Sequence, residues 1–135
     1  MLRKVLIGKL HRATVTGADL SYMGSITLDP DLLDASGIVP LQEVEIWNIN
    51  NGERLTTYAL PGRRGEGEVV LNGAAARKAE KGDILVIAGY GLVDPLNMPD
   101  VSARVVMVGK DNRIERLMEY RYTNGKADFE LSELK

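Results

Sequence analysis

Residues 44–60 read Val44-Glu45-Ile46-Trp47-Asn48-Ile49-Asn50-Asn51-Gly52-Glu53-Arg54-Leu55-Thr56-Thr57-Tyr58-Ala59-Leu60. Two strand-like runs, Val44 to Ile49 and Arg54 to Leu60, flank Asn51-Gly52. That pair suits a two-residue primed turn, because both residues tolerate positive φ. A β-hairpin is expected here. Outward from it, Leu2 to Ile7, His11 to Thr16, Val69 to Leu71, Ile84 to Ala88, Val101 to Val108 and Ile114 to Tyr122 also read as strands, the last two joined through Gly109-Lys110-Asp111-Asn112. The 14 Gly and 5 Pro are spread along the chain, punctuation that favours strands and turns over long helices. Two short helices interrupt the strands. Asp29 is a good cap, Pro30 suits the first helical position and Gly37 can close the far end. The second runs from Asn72 through Ala74-Ala75-Ala76 to Lys81, with Gly82 as its stop. Eight or so short strands with two single-turn helices imply a mainly β fold, a small closed or nearly closed β-barrel.

A chain of 135 residues is about one domain's worth, burying roughly two-thirds of its unfolded surface. Its 44% apolar and 27% charged residues are globular values that argue against disorder. With 17 Lys+Arg against 19 Asp+Glu the net charge is −2, so there is no basic excess for nucleic acid. The absence of Cys removes disulfides, thiolate nucleophiles and Cys-type zinc sites together. The longest apolar run, Ile84-Leu85-Val86-Ile87-Ala88, is far short of a membrane span. Met1 to Lys9 lacks the pattern of a secretory signal. A soluble cytoplasmic domain is the expectation, with residues 1–118 as the barrel and Glu119 to Lys135 as a polar, loosely attached tail.

Conventional catalytic constellations are mostly missing. His11 is the one histidine, more often a structural residue than a ligand on a strand. Asp29, Asp31 and Asp34 lack the glycine and glutamate of a calcium loop, and read as acids at a helix N-terminus. Gly62-Arg63-Arg64-Gly65-Glu66-Gly67 lacks the ending of a phosphate loop and reads as a flexible surface loop. Three stretches carry more chemistry. Tyr22-Met23-Gly24-Ser25 lies between two strands, where Gly-Ser is on composition an ordinary turn pair. Arg54, Thr56 and Tyr58 share a strand face, projecting a guanidinium and a phenol together. Asn72-Gly73-Ala74-Ala75-Ala76 leaves helix N-terminal amides open to a carboxylate, or is simply an Ala-rich helix with an Asn cap.

Taken in order, these stretches resemble the pyruvoyl-dependent aspartate 1-decarboxylases. The matching runs are Gly8-Lys9-Leu10-His11-Arg12, Ala18-Asp19-Leu20 through Tyr22, Gly24-Ser25, Ile46-Trp47-Asn48, Asn51-Gly52, Arg54, Thr57-Tyr58, Asn72-Gly73-Ala74-Ala75-Ala76 and Gly82-Asp83. Order and spacing agree from about residue 1 to 88. Beyond Ala88 the match thins, where Gly89 to Pro95 and Ser102-Ala103-Arg104 depart from the family's more acidic stretch.

The resemblance implies a precursor that cuts itself between Gly24 and Ser25, with Ser25 becoming a pyruvoyl group and Thr57 needed for that activation. The covalent pyruvoyl group would serve in place of pyridoxal phosphate, with no metal. It would form a Schiff base with L-aspartate, and Tyr58 would donate the proton that completes β-alanine after carbon dioxide leaves. A phenol carries its proton at neutral pH, as a donor must. Lys9 and Arg54 match the family's cations for the substrate carboxylates, with Thr57, Gly73, Ala74 and Ala75 also binding substrate, and His11 and Asn72 in support. The family fold is a double-psi β-barrel with a six-stranded core. It assembles as a homotetramer with active sites at subunit interfaces, and supplies β-alanine for pantothenate and coenzyme A synthesis in the cytoplasm. No nucleic acid or membrane partner is implied.

Two other readings stand beside it. A non-catalytic β-barrel binding or regulatory module could share the scaffold, but would have no reason to keep Gly24-Ser25 together with Thr57 and Tyr58. The same chemistry on another acidic amino acid, such as glutamate, differs by one methylene, worth only ~1–3 kcal/mol in a pocket.

Overall fold

Short alternating runs separated by glycine, proline and asparagine give a chain that is mainly β-strand. The computed structural model describes residues 1–123 and 128–134. In chain order these form β1 (Arg3–Thr14), β2 (Gly17–Asp19), β3 (Ile26–Leu28), α1 (Pro30–Ser36), β4 (Glu43–Asn48), β5 (Arg54–Pro61) and β6 (Val69–Asn72). They continue with β7 (Ile84–Val93), β8 (Ser102–Val108), β9 (Ile114–Thr123) and β10 (Asp128–Leu134). Hydrogen bonding orders them β10-β9-β8-β1-β7-β4-β5-β3-β6-β2. The pairs β1/β8, β3/β5 and β2/β6 are parallel, and the others antiparallel. Past the end of β1, the Val15 N–H donates to Asp83 O and the Thr16 N–H to Val69 O, both at 2.8 Å, which carries the chain across to β6.

Inward-facing Leu10, Ile26, Leu28, Ile46, Leu71, Leu85 and Ile87 are fully buried, and Leu32 and Ile38 from the α1 region close over them. Each such side chain contributes about 1.5–3 kcal/mol by leaving water. The two expected N-terminal strands are one. Leu2 to Ile7 and His11 to Thr16 merge into β1, whose register shifts at Leu6/Gly8 and His11/Ala13 break the alternation that periodicity follows. Helix α1 forms as expected, with the Asp29 carboxylate accepting the Asp31 N–H and Gly37 left-handed at the far end. The second helix is shorter than its sequence suggests. It is one 3₁₀ stretch, Gly73–Lys78, and Asn72 gives it no side-chain cap because that amide is turned elsewhere.

The β4–β5 hairpin is present, but its loop is longer than two residues. Pairing ends at Trp47 and Arg54, and Gly52 has φ +76 while Asn51 does not join it at positive φ. The asparagines instead dock the loop: Asn48 Nδ2 and Asn51 Nδ2 donate to Lys78 O, and Asn50 Oδ1 accepts the Ile84 N–H. The Gly62–Gly67 loop, expected to be flexible, is tied down at several points. Arg64 bridges Asp31 and Asp34 at 2.7 and 2.9 Å, and Arg63 pairs with Glu68 at 3.0 Å. The polar stretch from residue 119 is drawn into strand pairing, β9 continuing to Thr123 and β10 running back along it. Residues 124–127 and 135 of the expected tail lie outside the described residues.

Asp29 joins these parts. Its carboxylate, in a residue 2% exposed, accepts N–H groups from Asp31, Gly65 and Gly67 at 2.9, 3.0 and 2.8 Å. Burial alone would raise its pKa, but the three amides, helped by Arg113, outweigh it and hold the group below its ordinary 3.8. A depressed folded-state pKa contributes stability above the ordinary value, and that stability is lost as pH falls through the depressed one. Replacing Asp29 by Ala orphans three donors and should cost about 2–4 kcal/mol. Urea midpoints at pH 7 read this loss, and the gap to the unmodified chain should narrow as pH falls below 4. A gap that stayed constant with pH would mean that the charge on Asp29 is not what holds the loop.

Candidate active site

Strand β3 begins one residue after Gly24-Ser25, and its antiparallel partner β6 ends on Asn72. This pairing brings Asn72 beside Ser25, where the Asn72 N–H donates to Ser25 O at 2.9 Å. The Asn72 side chain reinforces the contact, with Nδ2 donating to Ser25 Oγ at 3.0 Å and to Thr27 Oγ1 at 2.9 Å. Ser25 is fully buried. Its backbone is strained: φ is +84 at Ser25, and a non-glycine residue in that region costs about 1–3 kcal/mol, whereas Gly24 before it takes φ +78 without penalty. A positive φ at Gly24 suits the turn that the Gly-Ser pair suggests, whereas the strain on the serine shows only in three dimensions.

Gly73 packs directly against this loop. A Cβ there would stand 2.5 Å from Gly24 N and 2.8 Å from both Gly24 Cα and Tyr22 O. With φ +62, Gly73 is also in a conformation that suits glycine. From the other side, Tyr58 on β5 donates its phenol to Met23 O at 3.2 Å. The period of two holds along β5: Arg54, Thr56 and Tyr58 are exposed, while Leu55 and Thr57 are half-buried.

Of the residues singled out in the sequence, Gly24, Ser25, Thr57, Tyr58, Asn72, Ala74 and Ala75 line one cavity of about 310 Å³. Thr56, which the period of two puts on the face of Arg54 and Tyr58, lines it too, and so do Leu55 and Lys78, which were not foreseen. Lys78 stands three residues after Ala75, one turn on in the 3₁₀ stretch, and its ammonium pairs with Glu53 at 2.8 Å. The cavity thus combines a serine of strained backbone, its hydroxyl held by an amide donor, a phenol and an ammonium group.

Lys9, His11 and Arg54 do not line this cavity. Registers place His11, Val86, Trp47 and Arg54 on one transverse row, and Lys9, Ala88, Glu45 and Thr56 on the next. Directly paired residues share a face, so these cations stand together on the outer surface of the sheet. Arg54 lies over the Trp47 ring at 5.1 Å, and Lys9 over the Tyr120 ring at 5.7 Å. Burial, with Lys9 and Arg12 nearby, lowers the pKa of His11 and favours its neutral form.

The aspartate decarboxylase family model matches residues 1–115. The chain is 53% identical to an aspartate 1-decarboxylase of Neisseria meningitidis over 123 residues, which is 89% of this chain and 94% of that protein. It is 49% identical to an aspartate 1-decarboxylase of Carboxydothermus hydrogenoformans, covering 88% of this chain and 94% of that one. With an aspartate 1-decarboxylase of Bacillus subtilis the identity is 47%, over 87% of this chain and 93% of that one. The chain belongs to the aspartate decarboxylase family.

The close approach of Gly73 to Gly24 makes a sharp prediction. Gly73→Ala must displace the loop or strain its own backbone, and should destabilise the protein by about 1–3 kcal/mol. The loop carries exposed Tyr22 and Met23, so chymotrypsin should cut after Tyr22 faster in the variant. Unchanged proteolysis and an unchanged denaturation midpoint would show that the loop does not depend on Gly73.

Proposed function

We propose that this chain decarboxylates L-aspartate to β-alanine and carbon dioxide, with a pyruvoyl group made from its own Ser25. The observation that carries the reading is the buried Ser25 itself. It has a positive φ, follows a glycine that also has one, and its Oγ is held by Asn72 beside a cavity bearing Tyr58. Bland turns expose their serines and have no need of such strain. These residues fit a group formed in place, since Ser25 supplies the hydroxyl and the cavity opens where the new end would lie.

Maturation balances with one water. Ser25 Oγ attacks the Gly24 carbonyl carbon, the C–N bond breaks, and an ester replaces the amide. Loss of the Ser25 Cα proton then breaks the Cβ–Oγ bond, leaving a Gly24 carboxylate and a dehydroalanine. Water adds and ammonia departs, which leaves the ketone at the new N-terminus. Backbone strain at Ser25 raises the starting state, and the Asn72 side-chain amide donating to Oγ favours that oxygen as it leaves with the carboxylate. Thr57, beside the bond on the cavity wall, is the candidate donor to the Gly24 oxygen as charge develops.

Once formed, the pyruvoyl group supplies the electron sink for loss of the α-carboxylate. The chain's own residues do the rest. Tyr58 delivers a proton to the reacting carbon, being the phenol on the cavity wall and within reach of the loop. Gly73, Ala74 and Ala75 offer small, close backbone for the substrate. Lys9 and Arg54, with His11 beside them and Asn72 within the cavity, hold and orient its carboxylates, Arg54 by a bidentate grip. Lys9 and Arg54 stand on the sheet face that carries Thr56 and Tyr58, beside the cavity but not among its lining. That separation supports a homotetramer in which one subunit's outer face completes another's cavity. The ties from Val15 and Thr16 to Asp83 and Val69 support a sheet closed as a double-psi barrel over residues 1–118. The product would feed pantothenate and coenzyme A synthesis in the cytoplasm.

Intact-mass analysis tests maturation: incubated protein should resolve into residues 1–24 and 25–135, and Ser25→Ala should remain one chain while still folding. A permanently uncut chain would sink the reading. For turnover, Tyr58→Phe should still cleave, while its β-alanine production falls by roughly 10²–10⁴-fold, the usual worth of a positioned acid. Production at the unmodified rate would assign the proton to another group.

A further inference from the structure

We propose that Thr27 is a positioning residue for self-cleavage, holding the Asn72 amide on Ser25 Oγ. This rests on the maturation reading above. A carboxamide nitrogen carries two N–H groups pointing in different directions, and here each has one acceptor. One goes to Ser25 Oγ at 3.0 Å and the other to Thr27 Oγ1 at 2.9 Å. The plane of the amide is set by both acceptors together, so the donor at the nucleophile is aimed by a hydroxyl two residues further along.

Thr27 is suited to that task. It is the central residue of β3, paired to Val70 on β6 and to Leu60 on β5, so its backbone is held from both sides. A β-branched side chain has a restricted χ1, which keeps Oγ1 where the strand puts it. Asn72 is also buried, 4% exposed, so water does not readily replace a lost acceptor. Without Thr27 Oγ1 the amide either keeps an unsatisfied N–H or rotates to satisfy it, and rotation moves the donor off Ser25 Oγ.

Thr27→Val keeps the shape and removes the acceptor, and Thr27→Ser keeps the acceptor. Each chain is incubated and the uncut fraction followed by intact mass. Thr27→Val should cleave about three- to tenfold more slowly, the range expected for one hydrogen bond, and Thr27→Ser should cleave within about twofold of the unmodified chain. Because the effect runs through Asn72, Thr27→Val with Asn72→Ala should cleave no more slowly than Asn72→Ala alone. A melting scan accompanies each variant, and Thr27→Ala serves in place of Val if Val does not fold. Unmodified rates in both Thr27→Val and Thr27→Ala would overturn the proposal, as would full multiplication of the two effects in the double variant. An unmodified chain that never cleaves would overturn the maturation reading and this proposal with it. Cleavage of the unmodified chain beside an indifferent Thr27→Val would remove this proposal alone.

Discussion

Asn72 holds Ser25 twice, through its main-chain N–H and through its carboxamide, and the rest of the site is arranged around that grip. The contact exists because β3 and β6 pair antiparallel, which sets the last residue of one strand against the residue before the other. The same pairing brings Gly73 onto Gly24, at a distance that tolerates no side chain. A strained serine can persist only where its surroundings over-determine it. Here two strands, one amide and one close glycine do so, with Tyr58 reaching the loop from β5.

Such a grip needs a scaffold that does not yield, and much of that rigidity is polar. Asp29 ties α1 to the Gly62–Gly67 loop through three backbone amides. Asn112 joins the end of β1 to that same loop, accepting the Thr14 N–H and donating to the Thr14 and Gly67 carbonyls. Asn48 and Asn51 dock the β4–β5 loop onto Lys78 at the end of the 3₁₀ stretch. Where these connections are buried, as at Asp29 with Gly67 and Asn112 with Gly67, a protein partner stands in for water, which makes departure costly.

Charge is organised locally and not by the total. A net charge of −2 leaves room for Lys9 and Arg54 on one outer face, each lying over an aromatic ring. Trp47 carries Arg54 and donates its indole N–H to Glu45 at 3.3 Å, so the guanidinium rests on a ring that is itself tethered. Rings under cations hold them in place while leaving their N–H groups free to meet an anion.

Sequence alone carried the features that depend on neighbours along the chain. The β4–β5 hairpin, the Asp29 cap with Pro30 behind it, and the shared face of Arg54, Thr56 and Tyr58 follow from local conformational preference and the period of two. Family membership was legible as well, because the ordered series from Gly8 to Asp83 is itself a chain property. What sequence could not carry depends on partners far away. The bulges that fuse two expected strands into β1, and the strand pairing of the polar stretch beyond residue 119, are set by the strands alongside. Asn72 reads locally as a helix cap, and tertiary structure takes its side chain from that role to hold Ser25 and Thr27. Thr27 and Lys78 had no local signal strong enough to mark them. The separation of Lys9 and Arg54 from the cavity was equally hidden, since spacing assigns a residue to a face but only the sheet decides what that face meets.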